Sequence, residues 1–191
     1  MHLTSIITQI NHRIAAAFPS LNQIQLLNIC ELVKRNRGGK DVVWPAMYVA
    51  GGDMQYAGVD DGYDLVVYHR LLSIDTAAGK AGYGNQVADI KNTVKASMVV
   101  YGHKDKLEHS ADTLALLIQS TMPDNLTGKD KPEGIDTLTI TVTDMVLNTE
   151  QVFNEEYKGT PYFLAPEHIL LKVNYNIEST FDKRCFNTYQ Q

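Results

Sequence analysis

The sequence predicts an α+β fold, a mainly antiparallel sheet covered on one face by helices and carrying long inserted loops. Three observations carry this. Apolar residues recur at helical spacing at the amino terminus and again near residues 107–118. Apolar and polar residues alternate in several segments between and after them, as in half-buried strands. The order is helix, several strands, helix, two strands, without the strand–helix–strand alternation of a doubly wound parallel sheet.

The first helix is marked by Leu3, Ile6, Ile7, Ile10, Ile14 and Phe18, with Thr4, Gln9, Asn11, His12 and Arg13 on the opposite side. Pro19 ends it, because proline disfavours a helical residue before it. "LNQIQLLNICELV" fits neither period well and is read as a strand, since a Gly-Gly turn and the extended "DVVWPAMYVA" follow. Pro45 has no N–H for a ladder, so the strand from Val42 to Ala50 is expected at a sheet edge or with a bulge. "GGDMQYAGVDDG" reads as a loop and "YDLVVYHRLLSI" as a strand; residues 75–91 form a long, glycine-rich excursion. In "TVKASMVVYGH" the residues Val94, Ala96, Met98 and Val100 share one face. A second helix covers "DKLEHSADTLALLIQSTM", with Leu107, Ala111, Leu114, Leu117 and Ile118 inward, and Pro123 closes it. Two last strands flank an acidic connection, Asn148 to Pro166, too long for a tight hairpin. One core is expected to collect Ile6, Ile10, Ile14, Leu114, Leu117, Val142, Leu170 and Val173.

The 191 residues suit a single domain, 1–191. No apolar run approaches the roughly 20 residues that cross a bilayer, and no membrane partner is expected. The amino terminus is too polar for a signal-peptide core. Cys30 and Cys185 form no metal or redox spacing, so a reduced intracellular setting with inert thiols is expected. The net charge is −5. Residues 1–123 hold 11 acids and 11 Lys/Arg, whereas residues 124–191 hold 11 acids and six bases. That balance argues against a domain built to grip nucleic acid. The one basic cluster, "KRNRGGK" from Lys34 to Lys40, reads as a solvated turn.

No motif argues for catalysis. "AAGKAGYGNQ" lacks the GxxxxGK[ST] spacing of a phosphate loop, since only Gly79 precedes Lys80 and Ala81 follows it. His103 and His109 are six apart, which is not the spacing of a helical zinc pair. His69, beside Arg70, reads as a hydrogen-bonded histidine on a strand face. The acid pairs Asp60–Asp61 and Glu155–Glu156 read as solvated loop residues. No catalytic, cofactor-binding or metal-ligating residue is assigned, and no cofactor. The residues leave a second function open, a small cytosolic enzyme or ligand-binding domain with a site near His69, His103 and Asp60–Asp61.

Aromatic residues stand out instead. Tyr56, Tyr63, Tyr83, Tyr157, Tyr162 and Phe163 fall near expected loops among Gly, Asn and Gln. Tyrosine suits interfaces because it buries area while keeping a polar end. Tyr83, Phe153, Glu155, Glu156, Tyr157, Tyr162 and Phe163 are therefore the candidate interface residues.

The order of these elements resembles a known family. It combines the leading helix, "FPSLNQIQLLNIC", "WPAMYVA", "DLVVYHRLL", "TVKASMVVYGHKDKLEHSADTLALLIQ" and the closing "HILLKVNYNIES". Across nearly the whole chain it is similar to the tail-completion, or tail-terminator-like, proteins of tailed bacteriophages. It also resembles the related neck ring proteins of crAss-like and other Bacteroidetes-infecting phages. The resemblance implies a non-enzymatic virion protein, made in the host cytoplasm, that forms a homo-oligomeric ring in the head–tail connector. The ring would adjoin portal, neck or tail proteins and surround genomic DNA without sequence-specific binding. The 75–91 excursion departs from the simplest pattern of that family.

Overall fold

Three segments are apolar at nearly every position: Leu65–Tyr68, Met98–Tyr101 and Ile169–Leu171. A strand with that composition is buried on both faces, so it belongs at the centre of a sheet covered twice. The computed structural model shows this arrangement. It describes residues 3–49, 51–57, 62–78, 89–126, 131–132, 134–158 and 166–182.

The helices are α1 (Leu3–Ala17), α2 (Lys104–Leu107), α3 (Ala111–Thr121) and α4 (Thr149–Glu156). The strands are β1 (Ile24–Ile29), β2 (Glu31–Arg37), β3 (Lys40–Tyr48), β4 (Met54–Tyr56), β5 (Leu65–Ala78), β6 (Asp89–His103), β7 (Thr137–Val146) and β8 (His168–Asp182). The main sheet runs β1-β5-β6-β8-β7, and a smaller sheet runs β2-β3-β4. Among the described residues, β1 and β5 pair in parallel and the other strand pairs are antiparallel.

The main sheet separates two apolar clusters. On one face α1 and α3 lay Ile6, Ile10, Ile14, Leu114 and Ile118 over Val94, Ala96, Met98 and Val100 of β6 and Val173 of β8. The even-numbered face of β6 expected from the sequence is this one. The other face buries Val66, Tyr68, Val99, Tyr101 and Leu170 under Val152, Phe153 and Tyr157 of the α4 region, together with Leu27, Cys30 and Ala57. Helices therefore cover both faces, not one. Leu170 leaves the expected single core for the second cluster, and Leu117 and Val142 are only partly buried against the first.

Four further expectations are corrected. Pro45 lies in the middle strand of the smaller sheet, and β3 pairs with β2 without a bulge. The place is permitted because β4 ends beside it. The Ala57 amide still donates to the Pro45 carbonyl (3.0 Å), and the return bond proline lacks is replaced at the Ala57 carbonyl by the Tyr157 hydroxyl (3.2 Å). The described parts of the 75–91 excursion, residues 75–78 and 89–91, are strand, with Asp75 opposite Thr93 and Ala78 opposite Ile90; residues 79–88 lie outside the described ones. The second helix divides into α2 and α3. Glu108 takes a left-handed conformation (φ 55°) and the Ser110 hydroxyl caps α3 by accepting from the Thr113 amide. Finally, the connection from Asn148 contains α4, capped where the Asn148 side chain accepts from the Gln151 amide (3.0 Å). The Asn-x-x-Gln spacing of that cap was readable in the sequence.

Candidate functional site

Of the candidate interface residues, three are committed to the chain's own interior. Phe153 and Tyr157 stack with ring centroids 5.3 Å apart, and Tyr157 is 2% exposed. Trp44 meets Tyr157 edge-on at 6.1 Å. Glu156, 1% exposed, receives Arg70 Nη1 at 2.8 Å on Oε2 and Lys172 Nζ at 2.8 Å on Oε1. Helical spacing explains the correction: α4 turns Val152, Phe153 and Glu156 inward, where a loop would have exposed them. Glu155 remains at the surface and pairs with Lys172 (2.9 Å). The Lys172 hydrogen bond, then that of Gln151, holds the Glu155 carboxyl below its ordinary range. Tyr83, Tyr162 and Phe163 lie outside the described residues.

Of the alternative site, His69 and His103 are not brought together. His69 is opposite Met98 on β6, five residues along the strand from His103, or roughly 17 Å at strand rise. Asp60 and Asp61 lie outside the described residues. His69 is fully buried in its own relay. The Asn11 amide nitrogen donates to the Leu27 carbonyl (3.0 Å), so Asn11 Oδ1 accepts from His69 Nε2 (2.9 Å). That leaves His69 Nδ1 to accept from the Tyr175 hydroxyl (2.8 Å). Burial pushes the imidazole down to about 3, so it is neutral at ordinary pH. Asn11 thus belongs to the interior, against the polar side assigned to it from sequence. Its position beside Ile7, Ile10 and Ile14 on the buried face of α1 was the available hint.

Two other sites are defined. At the sheet end His103 and His168 pair across β6 and β8, with rings edge-on at 5.1 Å and Tyr101 beside His168 at 5.1 Å. Among the described residues, no group of three or more His, Cys, Asp or Glu is placed to hold a metal ion. Cys30 is buried and its thiol is pushed up to about 12, first by burial, so it is a poor nucleophile.

The surface carries a feature the sequence reading passed over. β1 accompanies β5 only to His69, whereas β6 follows β5 to Ala78. The outer edge of β5 beyond Leu71 therefore has no strand partner among the described residues. Leu72 (56% exposed) and Ile74 (42% exposed) stand there, with Leu72 at a bulge between Leu71 and Ser73. The outer edge of β7 is guarded instead: the Ile140 amide donates to the Asp124 carbonyl (2.8 Å), Asn125 bridges Thr139, and a bulge follows Val142. Among the described residues, no helix is long and apolar enough to cross a membrane.

No protein-family model matches the chain, and no curated protein matches it.

Proposed function

We propose that this chain is a non-catalytic structural subunit that assembles into an oligomeric ring, serving in the phage neck between portal and tail around the DNA channel. The carrying observation is the outer edge of β5 from Leu72 to Ala78, which has no strand partner among the described residues. An unpaired strand edge presents a row of N–H and C=O groups, and solvent-facing Leu and Ile make it a template for another strand. The α+β element order that resembles the tail-terminator-like proteins supports the same reading and supplies the setting. A closed ring requires that this edge meet a different surface of the next copy, because a self-complementary contact stops at a dimer.

Purified protein is examined by light scattering and negative-stain imaging, beside Ile74→Lys and Leu72→Lys. Rings in the parent and smaller species in both variants support the proposal. A parent that stays monomeric at high concentration, or stops at a dimer, overturns the ring. Rings unaffected by either lysine remove β5 from the interface.

A further inference from the structure

The basic cluster is more than a turn. Gly38 and Gly39 both take positive φ (61° and 81°), making the two-residue loop of a tight hairpin, while the cations stand on paired strands. The register places Arg35 opposite Val42 and Arg37 opposite Lys40, so Arg35, Lys40, Val42 and Trp44 share one face of the small sheet. Lys34, opposite Val43, belongs to the other face. Arg35, Asn36, Val42 and Trp44 line a cleft of about 320 Å³. That is the lower end of ligand-site volumes, roughly 300–1,000 Å³, enough for one nucleoside-sized group.

Three features of this cleft select its ligand. The Arg35 guanidinium lies 4.2 Å from the centre of the Tyr56 ring, which orients its donor fork before anything binds. Arg35 and Lys40 are exposed and make no ion pair among the described residues, whereas Arg70, Lys91, Lys106 and Lys172 each sit on a carboxylate. Trp44, braced edge-on by Tyr157, supplies an aromatic wall. An oriented guanidinium beside an indole fits a phosphate joined to a planar base.

We propose that this cleft binds single-stranded nucleic acid, with a backbone phosphate on Arg35 and Lys40 and an unstacked base against Trp44. A duplex offers phosphates but keeps its base faces stacked, so it satisfies only half of the site. The chain's net charge of −5 opposes non-specific attraction of a polyanion. The ring reading is not required.

Trp44 is the only tryptophan, so its emission reports on this site alone. A labelled oligothymidylate is titrated into the full chain while anisotropy and tryptophan emission are followed. Saturable quenching in step with anisotropy is expected. Arg35→Ala, with an unchanged circular-dichroism spectrum, should weaken binding about tenfold or more, and Arg35→Lys should recover only part of it. Lys40→Ala should lower the salt slope by about 0.7, the share of one phosphate on a single strand, while Lys34→Ala changes it less. Binding without quenching, or a duplex bound as tightly as the single strand, overturns the proposal. Equal loss with Lys34→Ala and Lys40→Ala would mean diffuse charge and also overturns it. Thymidine monophosphate binding as tightly as the oligonucleotide replaces it with a site for a free nucleotide.

Discussion

Glu156 Oε2 lies 2.8 Å from Arg70 Nη1, joining α4 to β5 on the buried side of the sheet. Glu156 is almost wholly enclosed and Arg70 is one-fifth exposed. The same carboxylate holds Lys172 of β8 and accepts a longer bond from the Tyr68 hydroxyl (3.4 Å). One side chain therefore ties α4 to two strands that are not neighbours, since β6 lies between them.

Removing that carboxylate leaves two cations partly enclosed without it. Glu156→Gln should cost about 3 kcal/mol, the lower end for breaking a buried pair because Arg70 and Lys172 keep some access to water. Glu155→Gln, at the surface, should cost no more than about 1 kcal/mol. Urea unfolding of both variants measures the difference; equal losses would show that burial of Glu156 does not set the cost.

His69 predicts a pH dependence. Its folded value, about 3, lies below its ordinary 6.5. Between those values the unfolded chain binds a proton that the folded chain does not. Stability from this group is therefore complete above about pH 6.5 and falls by about 1.4 kcal/mol per unit as pH drops toward 3. Denaturation at pH 7, 6 and 5 reads the slope after carboxylate effects are subtracted with His69→Gln. In the parent, the ring proton should stay on Nε2 by nitrogen NMR; a tautomer protonated at Nδ1 contradicts the relay.

The Tyr157 hydroxyl stands in for the hydrogen bond that Pro45 cannot make to the Ala57 carbonyl. Tyr157→Phe should cost about 1–3 kcal/mol by leaving that carbonyl unpaired. Tyr157→Ser also removes the ring from the core, at about 3–5 kcal/mol by analogy with aromatic-to-alanine changes. Failure of a Tyr157→Ser variant to assemble would then report lost folding. Thermal unfolding distinguishes the two substitutions.

Leu114 is fully buried beneath α3, while Leu117 on the same helix is only partly covered. Leu114→Ala should cost about 2–5 kcal/mol and Leu117→Ala about half as much or less. Chemical denaturation yielding the reverse order would mean that α3 sits rotated about its axis.

At Gly102 a methyl group would press into Leu107 and lie 3.3 Å from the Asp64 carbonyl oxygen. Gly102→Ala should cost about 1–3 kcal/mol through overpacking. The double variant with Leu107→Ala should lose less stability than the sum of the two single losses; strict additivity would show that the two sites do not touch.

The sequence by itself determined elements whose local period reports their own burial. The Leu3, Ile6, Ile7, Ile10, Ile14 stripe of α1 and the Val94, Ala96, Met98, Val100 face of β6 follow from periods of 3.6 and 2. The same pattern does not state what covers a face. Tertiary structure alone decided that α4 packs opposite α1 and α3, and so turned Phe153, Glu156 and Tyr157 from surface anchors into core. It also decided that Asn11 belongs inside, because its partner His69 is 58 residues away and the next, Tyr175, is 106 beyond that. A polar group is inexpensive to bury only when a partner meets it, and partners so distant in the chain leave no local period. The edge of β5 left without a strand partner among the described residues has the same origin: β1 ends at Ile29, opposite His69, a fact about pairing rather than about the residues of β5.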